Sequence, residues 1–169
     1  FRSVGIIRKL GWRSLKLYFM VGLPTEEEED IEAICTLSGS LSRRFRGKIN
    51  VSIAGFIPKP FTPFQWEEQL SQERHVDLVR YMQKNLRQKN VSLKWQDPQL
   101  TFLEGVFSRG DEDLSQVIEL AEAAGAYLDG WGETFNEQAW LTAFDKTGVD
   151  PKTYHSQRPL DKDLPWDFI

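Results

Sequence analysis

The chain has 169 residues, 40% of them apolar and 27% charged, a balance typical of a soluble globular protein able to bury a sizeable core. A net charge of −4 argues against broad nucleic-acid binding, which usually needs a basic surface. The single cysteine, Cys35, excludes an intrachain disulfide framework and any metal or cluster site built on several thiolates.

No apolar run reaches membrane-spanning length and no signal-peptide pattern opens the chain, so the expected setting is reducing and cytoplasmic, with no membrane partner. Eleven Phe, six Trp and four Tyr are many for this length, and most should belong to the core.

In chain order, residues 1–10 read as a helix with Gly11 behind it as a C-cap. Phe1 in place of Met, with a helix pattern already under way, predicts a piece of a longer protein. Residues 15–21 (LKLYFMV) form an apolar strand that Gly22 and Pro24 end, and Thr25 with Glu28 predicts a capping box for the next helix. A continuously apolar strand predicts a parallel sheet covered on both faces, and α/β proteins bind ligands at the carboxyl ends of such strands. There Gly22 would let a flat ligand approach the backbone.

Residues 26–45 place Ile31, Ile34, Cys35, Leu41 and Phe45 on one face of an amphipathic helix, closed by Gly47. Its acidic opening, 26–30, suits a solvated first turn that complements the helix dipole. Cys35, on the apolar face, reads as a small buried hydrophobe rather than a nucleophile. Residues 48–56 form a second strand, and 57–66, with Pro58, Pro60 and Pro63, an extended, stiff loop.

Ser71 is a plausible N-cap for a helix over 72–88 that buries Val76, Val79, Met82 and Leu86, and Val91, Leu93 and Trp95 alternate as a short strand. This order implies right-handed βα units. Two units do not close a barrel, so the apolar edge of the first strand predicts dimerisation, strand swapping or cover by the helical region.

From Asp97 the pattern turns helical, dividing the chain into residues 1–95 and 96–169. Asp97-Pro98 opens a helix that Gly110 ends. Asp111 or Asp113 starts another, with Leu114, Val117, Ile118 and Ala121 inward and Gly125 as its stop. Asn136 caps a third, carrying Trp140, Leu141 and Phe144, before Gly148. Asp150-Pro151 opens a brief helical turn, and the tail 158–169 is expected to be extended or ordered by a neighbour.

Three stretches offer chemistry. The strand end MVGLPTE, residues 20–26, is either scaffolding or a ligand contact. The loop GFIPKPFTPFQW, residues 55–66, is either an apolar plug or a rigid ligand wall whose carbonyls accept hydrogen bonds from a base. The turn Asp129-Gly130-Trp131-Gly132-Glu133, with residues 95–97 and 108–111, serves packing or presents an indole and carboxylates to a substrate. His75 is expected to be exposed at a helix start and His155 to lie in the terminal loop, and neither has a partner motif. No nucleophile elbow, P-loop or zinc spacing is present.

Together the strand–GLPTE–helix and strand–FIPKPFTPFQW–helix segments resemble the fifth and sixth βα units of the radical SAM barrel. The stretch LKWQDPQLTFLEGVFSRGD, the Asp129-Gly130-Trp131 turn and the ending LPWDFI are similar to an uncharacterised subfamily often found with a cobalamin-binding-like N-terminal region. The resemblance covers essentially the whole chain. It implies a partial TIM-like (β/α) barrel of two βα units followed by a small helical region.

The chemistry implied is reductive cleavage of S-adenosylmethionine at a [4Fe-4S] cluster, giving a 5′-deoxyadenosyl radical that attacks a substrate C–H bond. Cobalamin is a possible further cofactor. The family's cluster ligands lie in a Cys-rich loop absent here, so this segment is not expected to be active alone. It would supply the adenine side of the site. Tyr18, Met20 and Gly22 would line the barrel and approach the adenine, and Phe56, Ile57 and Pro58 would give backbone contacts and an apolar wall. The family pattern has a glycine where Tyr18 stands and an acid where Thr25 stands. Partners implied are the remainder of the barrel and an unidentified substrate. The alternative is a non-catalytic interaction module that docks a protein through the proline and aromatic loop 56–66.

Overall fold

Three apolar runs pair as a parallel sheet in the order β1-β2-β3, with β1 at Ser14–Val21, β2 at Lys48–Gly55 and β3 at Val91–Trp95. Register sets Tyr18 beside Ser52, Met20 beside Ala54 and Val21 beside Gly55, while Ile53 pairs with Trp95. The structure, a computed structural model, describes residues 2–130 and 132–168. It divides into two units, Phe1–Phe56 with Glu73–Gln96, and Ile57–Gln72 with Asp97–Ile169. The protein is α/β.

The first unit adds helices α1 (Arg2–Lys9), α2 (Glu28–Arg44) and α3 (Gln72–Asn85) to the sheet. Helix α1 ends as the sequence predicts. Gly11 has φ 80°, the Trp12 N–H bonds the Ile7 carbonyl and the Gly11 N–H bonds that of Arg8, a Schellman arrangement.

The sheet is not covered on both faces. Val21, Ile49, Val51 and Ile53 are buried on one side, whereas Tyr18 is 73% and Met20 48% exposed on the other. The strand order gives the reason. Parallel strands added in sequence by right-handed crossovers all receive their helices on the same face. The opposite face, bearing Lys16, Tyr18 and Met20 with Asn50, Ser52 and Ala54, has no helix of its own. Among the described residues β1 pairs only with β2.

Other local expectations also change. The capping box of α2 lies two residues later than Thr25 and Glu28, with the Glu27 N–H bonded to the Asp30 carboxylate at 3.1 Å. Helix α2 ends at Phe45 with extended backbone, so Gly47 is not its left-handed stop. Gly47 is instead needed for close approach, since a Cβ there would lie 2.4 Å from the Arg13 carbonyl oxygen. Buried Ser38, Gly39 and Ser42 help form the inner face of α2, while Ile34 and Cys35 are only half-buried. His75 is buried rather than exposed, one residue before half-buried Val76. Helix α3 stops at Asn85, short of residue 88.

In the second unit, α4 (Pro98–Ser108) follows its Asp97 cap, which accepts the Gln99 N–H at 2.8 Å. Helix α5 spans Leu114–Ala123. Helix α6 (Glu137–Thr147) has Asn136 as its cap and Gly148 at φ 71° as its stop, and Asp150 caps a short 3-10 turn, Pro151–Tyr154. Leu103, Val106, Leu114, Val117, Ala143 and Phe144 anchor its core. Ile118 and Leu141 point outward, at 45% and 48% exposed.

Two segments without regular structure behave differently from expectation. Residues 60–67 form successive turns rather than an extended loop. The tail is ordered within the unit, with Leu164 and Trp166 buried and the Trp166 indole N–H on Gln65 Oε1 at 2.8 Å. Among the described residues no helix is long and apolar enough to cross a membrane.

Candidate functional site

The carboxyl end of β1 carries a tight, specific turn. Pro24 and Thr25 occupy its centre, and the Glu26 N–H closes it on the Leu23 carbonyl at 3.0 Å. Thr25 has φ 66°, where a type II turn favours glycine, so a β-branched residue is held in a strained conformation. Gly22 precedes it at φ 81° and donates its N–H to the Glu26 carboxylate at 2.8 Å. The glycine thus answers a backbone requirement of its own. Glu26 is the residue the sequence reading missed. It belonged there to a solvated acidic run, yet it stands ahead of α2 and holds the strand end.

Beside it, the Phe56 N–H extends the β1–β2 ladder by bonding the Val21 carbonyl at 2.8 Å, and the Gln96 N–H bonds the Ile53 carbonyl at 3.0 Å. Of the candidate site residues, Tyr18, Met20, Gly22 and Phe56 belong to the first unit. Tyr18 and Met20 share the exposed sheet face, and Gly22 and Phe56 sit at the ends of their adjacent strands. Phe56 is buried. Ile57 and Pro58 are also buried but belong to the second unit.

The proline-rich loop is fastened at several points within that second unit. Lys59 Nζ bonds Glu104 Oε1 at 2.7 Å and Ser108 Oγ at 2.8 Å. Gln65 Oε1 accepts from the Phe61 N–H as well as from Trp166. Arg109, fully buried, donates to the Glu67 carbonyl at 3.0 Å and the Gln65 carbonyl at 3.4 Å. The Arg158 N–H bonds the Trp66 carbonyl at 2.8 Å, and its guanidinium reaches the Arg109 carbonyl at 2.7 Å and lies over the Trp166 ring. Loss of hydration, together with the nearby Arg158 charge, brings the Arg109 guanidinium down to about 10. Phe61 and Phe64 remain exposed.

The third stretch is tied down at its ends, while Gly130, Gly132 and Glu133 are exposed. One Asp129 oxygen accepts the Trp140 indole N–H at 2.5 Å, and Thr134 Oγ1 bonds the Leu128 carbonyl. Trp131 lies outside the described residues. Asp111 accepts from the buried Tyr154 hydroxyl at 2.9 Å, and burial followed by that bond pushes the phenol pKa up. His155 packs edge-on against Phe102 and its Nε2 lies 3.0 Å from the Phe102 carbonyl. Burial pushes its pKa down, and the Arg109 charge adds to this. Cys35 has its pKa raised by burial and then by Glu32, which disfavours the thiolate. Among the described residues no group of three or more His, Cys, Asp or Glu is placed to hold a metal ion.

No family model matches the chain, and no solved structure matches it. It is similar to an uncharacterized protein of Methanocaldococcus jannaschii, 29% identical over 148 residues that cover 87% of this chain and 32% of the relative. The chain therefore spans about a third of the length of the curated relative it matches.

Proposed function

We propose that this chain is the carboxyl-terminal part of a radical SAM barrel followed by a helical region, and that the ends of β1 and β2 form the adenine side of its S-adenosylmethionine site. One observation carries the reading. The sheet is wound in one direction only, with an apolar face beneath helices and a second face of Lys16, Tyr18, Met20, Asn50, Ser52 and Ala54 that bears none. That is how strands of a (β/α) barrel are built, with the helix-free side turned toward the barrel interior. The two outer strands would pair with the remainder of the barrel.

The residues present fit the adenine and not the cluster. An aromatic ring and a thioether stand exposed beside two strand ends, which suits a flat heterocycle. The Gly22 and Phe56 amides are already bonded within the protein, so an exocyclic amino group would be met by carbonyls. Glu26, one position beyond the family's acid, holds the Gly22 amide. The cluster has no candidate ligands here, because Cys35 is the one cysteine and lies on α2. When bound, S-adenosylmethionine and a reduced [4Fe-4S] cluster supply a radical for attack on a substrate C–H bond, and this chain's residues orient the nucleoside and exclude water from it.

Calorimetric titration of the whole protein with S-adenosylmethionine tests the reading. Met20→Glu, at an exposed position, should weaken binding at least tenfold with the fold retained, and unchanged affinity would refute the assignment. The exposed Phe61 and Phe64 favour a second reading, a protein-docking loop, for which S-adenosylmethionine would not bind at all.

A further inference from the structure

Net charge hides a strong segregation. The first unit holds fifteen Lys and Arg against eight Asp and Glu, and the second holds six against seventeen. Residues 1–25, 33–66 and 78–96 contain no acid at all. Within the first unit, many of these cations gather at the amino ends of the strands. Arg46, Lys48 and Lys89, all exposed, line a recess of about 280 Å³ with Asn90 and Ser92. Arg13 adjoins it, since its carbonyl accepts the Lys48 N–H at 2.9 Å.

The bland explanation for basic residues here is complementarity to helix carboxyl ends. It covers Arg43 at the end of α2, but Arg13, Lys48 and Lys89 stand outside any helix. Among the described residues, neither Arg13 nor any of the three recess cations makes an ion pair. Next to Arg13, Trp12 is 63% exposed.

We propose that this rim binds the phosphate backbone of a single-stranded nucleic acid, with Trp12 as a stacking platform for a base. Recessed cations held on separate segments follow a chain of phosphates, and an exposed indole beside them supplies the sequence-tolerant contact such sites use. A membrane surface fits less well. The charges line a recess rather than a plane, and α1, which ends shortly before Trp12, has only eight residues.

Fluorescence anisotropy of the full chain with a labelled oligouridylate of about 16 nucleotides tests this. Three phosphate contacts predict a slope of log affinity against log salt near −2, or about a twentyfold loss from 50 to 200 mM salt. The combined Arg46→Ala, Lys48→Ala, Lys89→Ala variant should bind at least tenfold more weakly and show a nearly flat slope. Trp12→Ala should weaken binding about fivefold or more and leave the slope unchanged. If the triple variant fails to fold by circular dichroism, Lys89→Ala alone should flatten the slope by about 0.7. Three results would overturn the proposal: no saturable binding at low salt, a slope unaffected by these changes, or binding to phosphatidylserine vesicles without binding to the oligonucleotide.

Discussion

The two units reach order by different physical means. The first rests on alternation in its central strand, with Ile49, Val51 and Ile53 of β2 buried and the intervening Asn50 and Ser52 half-buried. In the second, residues 57–72 have little regular structure, and hydrogen bonds to residues distant in sequence hold them. Gln69 Nε2 bonds the Thr101 carbonyl, Arg109 takes two loop carbonyls, and Trp166 reaches Gln65 across 101 residues of sequence. Apolar burial is spread over many atoms and degrades gradually, whereas a polar latch fails when one donor is lost. The second unit should therefore be the more sensitive to single polar substitutions.

The largest effect expected is at Arg109. Arg109→Met keeps much of the volume but strands the Gln65 and Glu67 carbonyls, and should destabilise the second unit by about 3 kcal/mol. Hydrogen exchange should show residues 60–67 losing protection while β2 keeps its own. Equal loss in both units would break the comparison.

The first unit also has a polar latch of comparable design. Asn90 Nδ2 bonds the carbonyls of Ser42, Phe45 and Gly47, and its Oδ1 accepts from Ser42 Oγ at 2.5 Å. Asn90→Ala should cost about 2 kcal/mol in urea unfolding, confined to the first unit. A cost above that of Arg109→Met would reverse the ranking of the two units.

Thr25→Gly should instead stabilise the protein, by up to about 1 kcal/mol, because glycine accepts the φ of 66° without strain. A lower melting temperature in this variant would show that the threonine side chain contributes more than its conformation costs.

The smallest effect concerns pH. His155 has a folded pKa below the ordinary histidine value of about 6.5, so the unfolded chain binds the proton more readily. Its contribution opposes folding at low pH, and stability rises with pH from the depressed folded value up to about 6.5 and then levels off. Between pH 7 and about pH 5, His155→Gln should lose less melting temperature than the unaltered protein. An equal or greater loss would remove histidine titration from the account.

Much of the fold was legible locally. Asp97-Pro98, Asn136 and Gly148 mark helix ends through bonds and dihedrals made within a few residues, and the structure has them there. What escaped depends on partners remote in sequence. The run LKLYFMV reads as a strand covered on both faces because a large apolar side chain looks the same on a covered and an uncovered face; strand order decides which, and no local pattern encodes it. His75 sits among charged neighbours yet is buried. The tail's order comes from Gln65, about a hundred residues away. At the candidate site, the turn after β1 was visible in Gly22 and Pro24. The role of Glu26 was masked by four further acids that share its run.

Photolabelling of the whole protein with an azidoadenine analogue of S-adenosylmethionine, followed by peptide mass spectrometry, tests the central claim most directly. Adducts should map to the Tyr18–Gly22 stretch or to residues 55–56 at the end of β2, and excess S-adenosylmethionine should suppress them. Suppressible adducts that fall wholly outside those two stretches would contradict the assignment of β1 and β2 to the adenine.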